Sequence, residues 1–152
     1  MKILIIGTVG TGKTTLAKRL SKQYNIEYYE IDSIVHDDNN GGIKRTFKQQ
    51  DEIIKEINKN NKWIIEGVLR ENLFYLLDLS DKIILLDVNR RKRNIRILIR
   101  YIKQKLKLEQ VNYTPSLKML KSMYKWSEKY DKNKKELMEM LDKYKDKVTI
   151  IK

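Results

Sequence analysis

Two periods of apolar and polar positions alternate along the chain. Short apolar runs at 2–6, 26–31, 63–66, 82–87 and 147–151 have strand length. Between them lie segments of helical period. These are 13–24, with Leu16, Ala17, Leu20 and Tyr24 on one face; 43–60, with Ile43, Phe47, Ile54 and Ile57; 90–107, with Ile95, Leu98, Ile99, Ile102 and Leu106; and 134–144, with Leu137, Leu141 and Tyr144. A shorter helix fits 71–78. Alternation of this kind predicts the α/β class, with a five-stranded parallel sheet flanked by helices. The segment Asp37-Asp38-Asn39-Asn40-Gly41-Gly42 is a loop by composition, and Pro115 marks a break after the helix at 90–107. Residues 108–132 show no clear period.

A chain of 152 residues is long enough for a real core and too short for two independent domains, so a single domain over 1–152 is expected. It has no cysteine, which excludes disulfides, thiolate zinc sites and thiol catalysis. The opening Met-Lys-Ile-Leu reads as a strand and not as a signal sequence, and no apolar run approaches the ~20 residues of a membrane helix. A cytoplasmic protein with no membrane partner is expected.

The net charge of +13 is unevenly placed. Residues 1–76 carry 12 lysines and arginines against 10 acids, and residues 77–152 carry 21 against 10. Arg90, Arg91, Lys92, Arg93, Arg96, Arg100, Lys103, Lys105 and Lys107 follow one another without an acid between them, on the segment whose apolar positions keep helical period. An amphipathic basic helix results, suited to a nucleic acid backbone, a membrane surface or a polyphosphate. For its lysines the simpler reading is a solvated face in a chain rich in Lys, Asn and Ile.

Chemistry is most specific at the N-terminus. Gly7-Thr8-Val9-Gly10-Thr11-Gly12-Lys13-Thr14 matches the pattern G-x-x-x-x-G-K-[ST], directly after an expected strand and before an expected helix. In such a loop glycines turn the backbone so that its N–H groups face a β-phosphate, Lys13 reaches the β- and γ-phosphates, and the Thr14 hydroxyl ligates Mg²⁺. Gly7, Gly10, Thr11, Gly12, Lys13, Thr14 and Thr15 therefore form the expected ATP site, aided by the helix dipole.

Open parallel sheets bind ligands beyond the carboxyl ends of their strands. Asp32, Glu66-Gly67 and Asp87 occupy such positions here. A carboxylate beside a phosphate loop can hold Mg²⁺ or take a proton from an attacking hydroxyl. Asp87 is assigned to capping the basic helix, whereas Asp32 is open to capping or chemistry. Glu66 is assigned to function, since Gly67 admits close backbone approach.

With the phosphate loop, Ile64-Ile65-Glu66-Gly67-Val68-Leu69-Arg70 and Leu86-Asp87-Val88 followed by Arg96 and Arg100, the chain resembles the adenylate kinase superfamily of the P-loop NTPase fold. The segment Ile31-Asp32-Ser33-Ile34-Val35-His36 most resembles its small members labelled topology modulation proteins. The resemblance implies that Glu66 helps position Mg²⁺, that Arg70 holds an acceptor phosphate, and that Arg96 and Arg100 contact the transferring phosphoryl group. Spacing agrees, because residues four apart share a helix face. Asp32 and His36, with Glu66, Gly67 and Arg70, would face the acceptor. Some positions depart from the family. Glu66 stands where an Asp is usual, and Leu69 where a Pro is usual. A helical lid would lie within about 101–116, without cysteine ligands. Beyond the lid, Lys118, Lys121, Lys125, Lys129 and Lys132 stand where arginines are usual. The last expected strand ends at the C-terminus, where relatives carry a purine-contacting segment, so weak base selectivity is expected.

Together these features predict a P-loop kinase that moves the γ-phosphoryl of ATP, with Mg²⁺, to a small acceptor, a nucleotide or nucleoside. The other readings are a nucleic-acid-associated ATPase working through the helix at 90–107, and a nucleotide-binding module without turnover. Tyr101 is the one aromatic in that basic stretch, fewer than a stacking surface for single strands needs.

Overall fold

The computed structural model describes residues 1–109 and 115–152. At its centre is a fully parallel sheet that starts with β1 (Lys2–Ile6). A phosphate-type loop leads to α1 (Lys13–Tyr24), and then come β2 (Tyr28–Glu30), α2 (Ile31–Val35) and a small antiparallel pair, β3 (His36–Asp37) with β4 (Ile43–Lys44). The chain continues through α3 (Phe47–Lys59), β5 (Trp63–Gly67), α4 (Tyr75–Leu79), β6 (Lys82–Leu86), α5 (Arg90–Lys105), α6 (Leu117–Asp142) and β7 (Val148–Ile151). Strand order across the sheet is β2-β5-β1-β6-β7. The α/β class and the five parallel strands agree with the alternating sequence pattern.

Strand β1 is central, with Leu4 opposite Ile65 of β5 and Ile83 of β6. Both of its faces are covered, which explains why it is apolar at every position after Lys2. Leu4, Ile6, Trp63, Ile65, Ile83 and Leu85 face a layer formed by α2, α3, α4 and the end of α6, where Leu141 is buried. Ile3, Ile5, Ile64, Ile84 and Leu86 face α1 through Ala17, with Leu16 and Leu20 alongside. Tyr24, expected on that face, is exposed.

Several elements differ from expectation. Strand β2 stops at Glu30, and Ile31 begins α2. Ile43 and Phe47 are exposed, because α3 starts only at Phe47. A capping box sets that start: the Thr46 side chain accepts from the Gln49 N–H while the Gln49 side chain accepts from the Thr46 N–H. The helix expected at 134–144 is the end of the 26-residue α6.

The largest difference concerns α5. Ile95, Leu98, Ile99, Ile102 and Leu106, the apolar positions whose period marked this helix, are all exposed, whereas Arg93, Ile97 and Gln104 are buried. Arg93 explains this orientation. Its Nε donates to Ser127 Oγ at 3.0 Å, Nη1 to the Val88 carbonyl at 2.8 Å, and Nη2 to the Ser127 carbonyl at 2.9 Å and to both Asp131 oxygens at 2.8 Å. The Tyr130 ring lies 5.2 Å from the guanidinium. A buried arginine is tolerated when its donors are matched in this way. Asp87 does not cap α5. The N-cap is Asn89, whose side chain accepts from the Lys92 N–H at 2.9 Å, and Asp87 instead pairs with Lys134 at 2.7 Å and accepts from the Tyr130 hydroxyl at 3.3 Å. Among the described residues no helix is long and apolar enough to cross a membrane.

Arg93→Met should destabilise the fold by about 3 kcal/mol, because two buried carbonyls and Asp131 lose their donors. Arg93→Lys should restore less than half of this, since an ammonium cannot reproduce the planar fork. Urea unfolding followed by circular dichroism measures both; a loss below about 1 kcal/mol in the Met variant would remove Arg93 as the anchor of α5.

Candidate active site

Residues 7–14 leave the carboxyl end of β1 and wrap against two neighbours. A side chain at Gly7 would come within 2.8 Å of the Leu86 carbonyl, and one at Gly10 within 2.9 Å of the Arg93 carbonyl, so the loop lies against the end of β6 and the start of α5. Gly10 (φ 76°) and Gly12 (φ 95°) are left-handed, a conformation glycine takes without strain. Gly12 is the N-cap of α1 and offers no side-chain cap, which leaves the first amides of the helix available to an anion. Thr11 is buried and donates to the Thr8 carbonyl at 2.9 Å, bracing the loop. Thr15 is exposed on the first turn of α1.

Lys13 lies along the loop and donates to the Thr8 carbonyl at 2.8 Å. Burial lowers its pKa, and the negative charges of Glu66 and Asp32 offset part of that effect. Thr14 donates its hydroxyl hydrogen to Glu66 Oε1. Glu66 is buried at the end of β5, and burial raises its pKa against the lowering effects of the Thr14 hydrogen bond and Lys13. The site thus gathers an ammonium, a hydroxyl and a carboxylate within one step of the phosphate loop. Hydroxyl and carboxylate oxygens are hard donors of the kind Mg²⁺ takes, and the Thr14–Glu66 pair fits that ion.

Glu30 also belongs to this cluster. It ends β2 directly opposite Glu66 in the sheet register, and its charge acts on both Lys13 and Glu66. Extending β2 to 31 placed the strand end one residue late and hid it. Asp32 instead lies in the first turn of α2 and makes a 2.9 Å salt bridge with Arg70 from the segment after β5. It does not cap the helix. His36 Nδ1 is 3.3 Å from the Asp32 carbonyl, which brings His36 beside this pair. Arg45, which no motif singles out, ties the region together: its Nη1 donates to the carbonyls of Ser33 and His36 at 2.7 and 2.6 Å, and its Nη2 pairs with Asp37 at 3.2 Å. Gly67 has a packing role: a side chain there would meet Ile31 Cβ at 2.7 Å.

From the other side, Arg96 Nη1 donates to the Thr11 carbonyl at 3.1 Å and so lies over the loop. Arg100, one turn on, pairs with Glu109 at 3.1 Å, and its positive charge helps lower the Lys13 pKa. Both arginines therefore share the loop-facing side of α5. Of the expected lid, residues 110–114 lie outside the described residues, while 101–105 continue α5. Lys118, Lys121, Lys125, Lys129 and Lys132 are exposed on α6. A groove of about 810 Å³ along the free edge of β2 meets this region at Glu30, Ser33 and Arg45, and its walls bring no reactive set together.

The phosphate loop, the central β1 of a parallel sheet and the facing acid and arginines define a kinase-like P-loop NTPase domain. A family model described as AAA domain matches residues 3–114, and the chain belongs to that family. Its fold is similar to the crystal structure of shikimate kinase from Aquifex aeolicus VF5, at 20% identity and a TM-score of 0.47, over 87% of this chain and 82% of that one. No curated protein matches the chain.

Because its folded pKa is raised above the usual 4.5, Glu66 holds its proton to higher pH in the folded state than in the unfolded one. Its contribution to stability therefore falls as pH rises from 4.5 through the folded pKa. Glu66→Gln should flatten the stability profile over that range and leave the protein more stable above it. Thermal melts across the range test this; a steeper fall in the variant would contradict the assignment of Glu66 as a buried, unfavourably ionised acid.

Proposed function

We propose that the chain is an ATP-dependent phosphotransferase that moves the γ-phosphoryl group to a small acceptor, a nucleotide or nucleoside. The observation that carries this reading is the convergence of Lys13, the Thr14–Glu66 pair and Arg96 on the phosphate loop, with the Asp32–Arg70 bridge beside it. One wall addresses the triphosphate and the other offers an anion-binding arginine and a carboxylate. Within the superfamily we place the chain with the small adenylate-kinase-related topology modulation group, on the segments 31–36 and 64–70, and we place its work in the cytoplasm.

In this mechanism Lys13 leaves the Thr8 carbonyl for the β- and γ-phosphates, which the loop amides also hold. Thr14 and Glu66 would hold Mg²⁺, which would supply neutralisation of the triphosphate charge. Arg96, with Arg100, stabilises charge on the equatorial oxygens as the bond from the γ-phosphorus to the bridging oxygen breaks and the acceptor oxygen bonds to phosphorus. A nucleoside monophosphate attacks with a phosphate oxygen, and Arg70 grips that phosphate after leaving Asp32. A neutral hydroxyl gives up its proton, and Asp32, with His36 beside it, is the base that takes it. Catalysis is by positioning and charge neutralisation throughout.

The contact from Arg96 to the loop favours this reading over a nucleic-acid-associated ATPase, since it turns one of the basic residues of α5 toward the triphosphate.

Lys13→Ala should weaken ATP binding at least about tenfold with the fold intact, and Arg96→Ala should lower kcat more than about a hundredfold with little change in ATP affinity. Calorimetry and steady-state kinetics separate the two; unchanged ATP binding in folded Lys13→Ala would sink the assignment.

The acceptor is reached by a second pair of variants scored on nucleosides and nucleoside monophosphates. Arg70→Ala should raise KM about tenfold or more for a monophosphate, whereas Asp32→Asn should mainly lower kcat for a hydroxyl acceptor. Full activity of both variants on every acceptor would exclude the bridge from the site.

A further inference from the structure

The outward side of α5 carries a feature that phosphoryl transfer does not use. Ile95, Leu98, Ile99, Ile102 and Leu106 are each between 43 and 63% exposed. At 100° per residue they form a single stripe about 100° wide along the helix. The opposite side carries the buried Arg93, Ile97 and Gln104, with Arg93 bonded to α6 and Ile97 beside Gly10 of the phosphate loop, so the stripe is not the packing face of α5. Scattered exposed aliphatics need no explanation, but five along one helix face mark an interaction surface.

The rims of the stripe say what it fits. Lys92 and Lys103 border it on one side and Lys105 on the other, Arg91 lies at its start, and all four are exposed. From Arg90 to Lys105 the helix has no acidic residue. A second copy of the chain would press these cationic rims together, each copy bearing +13, and is disfavoured by charge. A nucleic acid would reward the lysines but leave five aliphatic side chains in water. Anionic lipid answers both features, because acyl chains take the stripe while headgroups take the lysines and arginine beside it.

We propose that the outward face of α5 is a docking surface for an anionic lipid bilayer, on which the helix lies in the interfacial plane. Docking is peripheral, without a spanning segment. It leaves Arg96 on the flank of the helix, still against the phosphate loop. The sequence pattern admitted a membrane surface for this helix, and the expectation of no membrane partner rested on the absence of an apolar run of spanning length.

Co-sedimentation of the full chain with vesicles tests this, using phosphatidylcholine alone and phosphatidylcholine with about one third phosphatidylserine. Wild type should partition at least about tenfold more strongly onto the anionic vesicles, and less so as salt is raised. The double variant Ile99→Gln/Ile102→Gln keeps the charge and should lose about tenfold or more of that binding. Ile43→Gln/Phe47→Gln, which removes exposed apolar groups elsewhere, should bind as wild type does. Since Ile99 and Ile102 are already in water, the double variant should melt as wild type does; if it does not, Leu98→Gln alone should still cost about threefold. Absence of binding to anionic vesicles, or binding unchanged in the glutamine variants, would overturn the proposal. Binding to a DNA duplex that is lost in Lys103→Gln/Lys105→Gln and kept in Ile99→Gln/Ile102→Gln would overturn it in favour of a nucleic acid surface.

Discussion

The buried guanidinium of Arg93 sets how α5 and α6 pack together. Its hydrogen bonds to Val88, Ser127 and Asp131 clamp α5 to α6 and fix the rotation of α5 about its axis. With that rotation fixed, the side of α5 bearing Arg96 and Arg100 turns to the phosphate loop, and the side bearing Ile95, Ile99 and Ile102 turns to solvent. A charge this deep is tolerated only because its donors have partners, and partners on two helices make it a clamp instead of a defect.

Around the loop, charges are arranged so that the site balances itself. Lys13 is held among Glu66, Asp32 and Glu30, and Arg70 is held by Asp32. On the proposed function, a triphosphate entering this site would compete with existing carbonyl and carboxylate partners. Affinity is therefore a difference between two sets of contacts, and burial of Lys13 and Glu66 strengthens both sets by excluding water. The Thr14–Glu66 hydrogen bond holds two oxygen donors together in advance, which lowers the reorganisation a bound cation would require.

The central sheet was legible because its strands are buried on both faces and so are apolar almost throughout. The phosphate loop was legible because few residue types can turn the backbone and present its amides in that way. Glu66 and Asp32 stood out because each follows a strand, whereas Arg70, Arg96 and Arg100 were named through the resemblance to the adenylate kinase superfamily. What stayed hidden depended on partners distant in sequence. Arg93 meets residues 34 to 38 positions away, and without them an arginine reads as solvated while the isoleucines around it read as core. Asp87 was assigned to a helix cap because its partners, Tyr130 and Lys134, lie on an element whose start showed no period. Glu30 was missed because β2 ends one residue earlier than the apolar run suggests.

The missing side chain at Gly10 has a mechanical meaning. The loop there runs under the Arg93 carbonyl and the Ile97 side chain with no room for a methyl group, so the loop and α5 share a wall. Because Arg93 also joins α5 to α6, the phosphate loop packs on a helix that is itself held to a second helix. The position of the loop is thereby tied through α5 to the contacts that hold α6.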